Sequence, residues 1–187
     1  MKVEIWSDVV CPFCYIGKRR FEKAFGGFAG REQVEIEWKS FQLDPELDNR
    51  EGLSVHAYLG KRKGGTEADG KRMNDQMTDM AQTVGLQYDF DKAILNNTQK
   101  AHQLLHFAKK AGLQNEMKER LFKAYYTEGK DVADTDTLAA LAAEVGLPAD
   151  EAQTALAEEQ YAAEVKHDQE EAYHIGVQGV PFFVFNR

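Results

Sequence analysis

Cysteine is scarce in this chain: two in 187 residues, Cys11 and Cys14. That excludes a fold stapled by several disulfides. The chain does not need one. Its hydrophobic content is 43%, and folding at this length buries roughly 70% of the unfolded surface. A second cysteine pair is missing, so a tetrahedral zinc site with about four ligands would have to recruit histidines. His102 and His106 stand four apart, but Gln103 follows His102, so no zinc-protease motif is present. No metal and no bound cofactor are expected. Positive charge is also short, with 23 Lys and Arg against 31 Asp and Glu and a net charge of −8. That argues against nucleic acid and against anionic membrane as partners. No apolar run approaches the ~18 residues of a membrane-spanning helix. The opening MKVEIWSDVV carries Glu4 and Asp8 where a secretory signal would be apolar. The expectation is a cytoplasmic protein, and in a reducing compartment two thiols this close suit catalysis or metal binding better than structure.

Both thiols lie in the stretch SDVVCPFCYIG, residues 7–17. Before it, KVEIW alternates Val3 and Ile5 with Lys2 and Glu4, a short strand. After it, YIGKRRFEKAF places Ile16, Arg20, Phe21, Ala24 and Phe25 at helical spacing, and the glycines of GGFAG end the helix. QVEIEWKSF then alternates Val34, Ile36 and Trp38 with Glu35, Glu37 and Lys39, a second strand. This is a βαβ unit with parallel strands. GKRKGG, residues 60–65, reads as a solvated loop, with a short helix before it. From about Thr66 the pattern is helical for more than 100 residues, with apolar faces such as Met73, Met77 and Met80, or Met117, Leu121, Phe122 and Tyr125. These faces are expected in the core. The aromatic VPFFVF returns to strand. The fold class is α/β. Residues 1–43 and 176–187 should form a sheet-based unit, and residues 44–175 a helical insertion between the second and third strands.

Cys11 stands where strand passes to helix. Pro12 suits the first helical position, which makes Cys11 the N-cap. Its sulfur then faces free backbone N–H groups at the positive helix end, so its pKa should fall. Cys14 lies one turn on, on the same side and within reach of a disulfide. The reading is an exposed Cys11 nucleophile and a shielded Cys14 resolving thiol. Asp8 is a candidate proton acceptor for Cys14, or simply a strand-end residue. A metal-binding CxxC, or a thiol-dependent binding module, stands as the alternative.

SDVVCPFCYIG at the first strand–helix junction, the helical block, and GVQGVPFFVF near the end resemble the DsbA-like thioredoxin-fold oxidoreductases. The likeness is greatest to the FrnE-type branch, which shares the helix motif in NTQKAHQLLHFA. The resemblance implies a thioredoxin-like fold with an inserted helical domain and a redox centre at Cys11 and Cys14. It implies supporting roles for Pro12 and Phe13, and for Val180 with a cis Pro181 facing the cysteines. It further implies a groove bordered by Asn97 and His102, though an ordinary helix residue is the plainer reading of His102. Expected partners are protein or small-molecule disulfides and thiols, with a low-molecular-weight thiol as a candidate electron partner. Related 2-hydroxychromene-2-carboxylate isomerases and kappa-class glutathione transferases carry Ser where this chain has Cys11; a glutathione-dependent isomerase or transferase is a further alternative. Phe13 cannot donate a hydrogen bond to a Cys11 thiolate, so a weaker oxidant is expected. The family fold also continues past the third strand with a further strand and a closing helix. The natural chain is therefore expected to be longer, or a homodimer partner to cover the apolar edge.

Overall fold

The computed structural model describes residues 1–186; Arg187, the end of the expected last strand segment, lies outside them. Strand β1 (Lys2–Ser7) leads into helix α1 (Pro12–Gly26), and strand β2 (Glu35–Ser40) follows. Helices α2 (Val55–Arg62), α3 (Glu67–Gln82), α4 (Gln99–Lys110), α5 (Gln114–Tyr126), α6 (Thr135–Glu144), α7 (Ala149–Ala157) and α8 (Ala162–His174) precede strand β3 (Phe182–Phe185). Among the described residues the sheet order is β2-β1-β3, with β1 and β2 parallel and β3 antiparallel to β1.

The period-two pattern sets the two faces of the sheet. Val3, Ile5 and Trp38 pack with Phe21 of α1 and with Phe183. On the opposite face Trp6 packs with Ala172 of α8, Phe182 and Val184. That face is expected to be polar, yet it is covered. Glu4 and Glu37 are buried at 4% and 6% exposure. Lys39 answers them at 3.9 Å and 3.5 Å and also reaches Asp168 at 3.1 Å and Glu171 at 3.2 Å, and Lys2 binds Glu37 at 2.7 Å. Buried charges demand such partners.

The outer edge of β2 is covered by side chains. Gln114 accepts from the Trp38 N–H at 3.0 Å and donates to its carbonyl at 2.9 Å. Asp168 accepts from the Ser40 N–H at 2.8 Å. An edge satisfied in this way offers no ladder to another strand.

In α1 the buried residues are Cys14, Tyr15, Ile16 and Lys18, whereas Arg20 and Ala24 of the expected apolar stripe are exposed. The helix is clamped from its first two turns, where Tyr15 stacks on Phe122 of α5 at 4.7 Å. Beside them Tyr88 stacks on Tyr126 at 4.2 Å. The α5 face is buried as its spacing predicts. Met73, Met77 and Met80 are only half-buried. They rim the core rather than fill it, because α3 packs chiefly on α2 through Gly60 and Gly70.

Candidate active site

Backbone geometry places both cysteines at the start of α1. Cys11 is its N-cap in an extended conformation, φ −89° and ψ 111°, with Pro12 beginning the helix. The Cys14 N–H closes the first turn on the Cys11 carbonyl at 3.0 Å. Both are free thiols. Cys11 is 3% exposed and Cys14 is 0%, so the expected exposure of Cys11 is corrected: it is the outer sulfur but lies buried. Phe13 between them is 49% exposed. Pro12 offers its carbonyl to the Tyr88 hydroxyl at 2.8 Å.

From the far end of the chain Val180 and Pro181 arrive, joined by a cis peptide bond. The Cys11 S–H donates to the Val180 carbonyl, Sγ to O 3.4 Å. Gly17 leaves room for the Pro181 ring, since a Cβ there would meet Pro181 Cγ at 3.0 Å.

The electrostatics correct a second expectation. A hydrogen bond with Cys14 and then burial push the Cys11 thiol well above its ordinary pKa, although it caps the helix. No side-chain cap bond forms at Cys11, and the nearby Asp8 charge opposes an anion there. Burial also resists charge on Cys14. The Cys11 S–H, the Ser7 hydroxyl beside it and the Lys118 ammonium outweigh burial and hold Cys14 below its ordinary value. The two sulfurs thus titrate as a coupled pair, with the inner one favoured for the first negative charge.

Asp8 is buried just past the end of β1, which corrects the reading of an exposed strand end. Its oxygens are taken by His102 Nε2 at 3.1 Å and by the Leu43 N–H at 2.7 Å. Burial disfavours the Asp8 charge, but these bonds prevail and its pKa is lowered. His102 is fully buried, so of the plain reading of an exposed or hydrogen-bonded helix residue it is the hydrogen-bonded form that holds. Burial lowers its pKa despite Asp8, so at neutral pH it is a neutral imidazole donating from Nε2. Its Nδ1 has no partner among the described residues. Asn97 lies just before α4. Its amide accepts from Gln42 at 2.9 Å and Gln99 N–H at 2.8 Å, and donates to Pro45 at 2.9 Å, pinning the loop after β2 to the start of α4.

Sequence reasoning missed Lys118, which is fully buried near the dithiol. The signal was present, since position 118 lies three and four residues before Leu121 and Phe122, on the apolar stripe of α5. No group of three or more His, Cys, Asp or Glu able to hold a metal occurs among the described residues. No helix there is long and apolar enough to cross a membrane.

The family model of the DSBA-like thioredoxin domain matches residues 2–187. The uncharacterized protein YwbO of Bacillus subtilis (strain 168) is 31% identical over 191 residues, covering 97% of this chain and 85% of its own. The crystal structure of SCO1869 from Streptomyces coelicolor, described as a probable DsbA oxidoreductase, superposes with a TM-score of 0.91 at 36% identity. That match covers 98% of this chain and 80% of the other. The cytosolic disulfide reductase DsbM from Pseudomonas aeruginosa shares the fold, with a TM-score of 0.71 at 20% identity over 100% of this chain and 85% of its own. A match over nearly the whole chain means that this chain belongs to the DSBA-like thioredoxin domain family.

Proposed function

We propose that this chain is a thiol:disulfide oxidoreductase working through Cys11 and Cys14. The observation that carries it is the pair itself: two free, buried thiols at a helix start, the outer one against the Val180 carbonyl. Cys11 is the nucleophile because it is the outer sulfur; Cys14 resolves the adduct. With the first charge on Cys14, Cys11 holds the remaining proton. As a substrate disulfide displaces the Val180 contact, that proton crosses to Cys14 and the Cys11 thiolate attacks. One substrate sulfur leaves and takes the proton from Cys14, Cys14 closes the intramolecular disulfide, and the second substrate sulfur leaves as thiolate. The reverse sequence oxidises thiols. Phe13 and the backbone of Val180 form the docking edge, where an extended substrate pairs like an added strand.

A glutathione-type thiol is the electron partner we favour, on the support that DsbM has been solved with GSH. The FrnE-type assignment, a cytoplasmic setting, and the division into residues 1–43 with 176–187 and 44–175 belong to the same proposal.

The test is trapping. Cys14→Ser with glutathione disulfide should accumulate a stable glutathione adduct on Cys11, read by mass spectrometry, and Cys11→Ser should accumulate none. Adduct on Cys14 instead would reverse the roles. A parent protein that never exchanges with glutathione disulfide would overturn the function.

A further inference from the structure

Lys118 has no ordinary structural explanation. It is 0% exposed, and its Nζ has no hydrogen-bond partner among the described residues. Its contacts are aromatic, with Nζ 4.9 Å from the Phe122 ring centroid and 5.6 Å from that of Trp38. An ammonium without an acceptor in such a place is costly to keep, and a Met of similar shape would fit the stripe better.

The charged and titratable groups around it explain its retention. Cys11, Cys14 and Lys18 on the α1 side, and Asp8 at the end of β1, lie close enough to interact with its charge. His102 faces it from α4. Asp8 is already engaged by His102 and the Leu43 N–H, and Lys18 repels. The sulfurs are the groups whose charge changes during turnover. Burial outweighs the upward pull of Cys14, Asp8 and Cys11 and leaves the Lys118 pKa at about 8.

We propose that Lys118 is the counter-charge of the dithiol: its ammonium holds the anion on Cys14 in the reduced protein, and it releases a proton when the Cys11–Cys14 disulfide forms. This rests on the redox reading above. The step balances. A site holding one thiolate, one thiol and one ammonium reacts with a substrate disulfide; the Cys11–Cys14 bond forms and the substrate S–S bond breaks. Two electrons pass to the substrate sulfurs. The remaining thiol proton and the Lys118 proton become the two protons of the departing thiols, leaving a neutral disulfide beside a neutral amine. Lys118 acts through Cys14 and is a positioning residue.

Two measurements test it. Carbon-13 labelling of lysine Cε in the unaltered chain follows Lys118 by NMR against pH in both redox states. The midpoint should lie lower in the disulfide than in the dithiol, and equal midpoints would overturn the proposal. In Lys118→Met, thiolate absorbance should show the first thiol titrating about one pH unit higher, a roughly tenfold smaller thiolate fraction at neutral pH. The oxidised Met variant should melt no lower than the parent, because beside the disulfide the amine it replaces is neutral and has no hydrogen-bond partner among the described residues. A thiolate titration superposing on the parent's would equally overturn the proposal, and if the Met variant does not fold, the NMR comparison decides alone. If the parent forms no Cys11–Cys14 disulfide at all, the redox reading falls, and this inference with it.

Discussion

Asp8 and His102 meet at 3.1 Å with side-chain exposures of 1% and 0%. Both have folded pKa values below their ordinary ones. An unfolded histidine takes up its proton near pH 6.5, and folded His102 does so only at lower pH. The unfolded chain therefore binds more protons as pH falls past about 6.5, and stability declines from there through the folded His102 pKa. Asp8 adds a second decline that begins near its unfolded pKa of about 4 and runs through its lower folded value. Urea midpoints should fall between pH 7 and pH 5. In His102→Asn the slope over that window should flatten, even if the variant is less stable overall. An equal slope would show that another group carries the effect.

At the scale of elements, two glycines set how closely segments approach. Gly70 of α3 lies against α2, where a Cβ would meet the His56 carbonyl oxygen at 1.9 Å and the Gly60 nitrogen at 2.7 Å. Backbone cannot yield as a flexible side chain can, so Gly70→Ala should cost about 3 kcal/mol, read as a drop in urea midpoint. Gly17 of α1 is a gentler case, because its neighbour is the Pro181 ring at 3.0 Å. Gly17→Ala should fold, push that ring outward and loosen the Cys11–Val180 contact. Alkylation of Cys11 should then be severalfold faster than in the parent. An unchanged rate would mean that the Val180 carbonyl does not shield the thiol.

Across the whole molecule, one carboxylate of α5 gathers three side chains of the helix bearing the thiols. Glu119 of α5 accepts from Tyr15 at 2.6 Å and Lys18 at 2.8 Å, and it also binds Arg19. Burial opposes its charge, but Arg19, Lys18 and Tyr15 prevail and hold its pKa at about 2. Glu119→Gln leaves Lys18, 2% exposed, with Glu22 as its remaining carboxylate. A broken buried pair costs about 3–5 kcal/mol. With Glu119 and Arg19 each about a third exposed, screening reduces this to about 1–2 kcal/mol. The contribution is present above the unfolded pKa of about 4.3 and is lost as pH falls toward about 2. Acid unfolding below pH 4 should therefore be shallower in the Gln variant.

The amino-acid sequence by itself determined the order of elements, the N-cap placement of Cys11 and the alternating faces of the strands. Each is local: Pro12 after Cys11, the period-two run in β1, and helix stripes ended by glycines such as Gly85, Gly112 and Gly146, all at positive φ. Burial and protonation were not legible in this way, because they depend on what other segments bring. The acidic face of β2 looks solvated until α8 delivers Asp168 to Ser40. Cys11 looks exposed and acidic until Val180 arrives from 169 residues away and Cys14 takes the first charge. Asp8 looks like a strand end until α4 places His102 against it. Lys118 is one polar position in an apolar stripe until folding removes it from water near two sulfurs. Periodicity reports which side of an element faces inward; the charge a group carries there is set by desolvation and by neighbours distant in the chain.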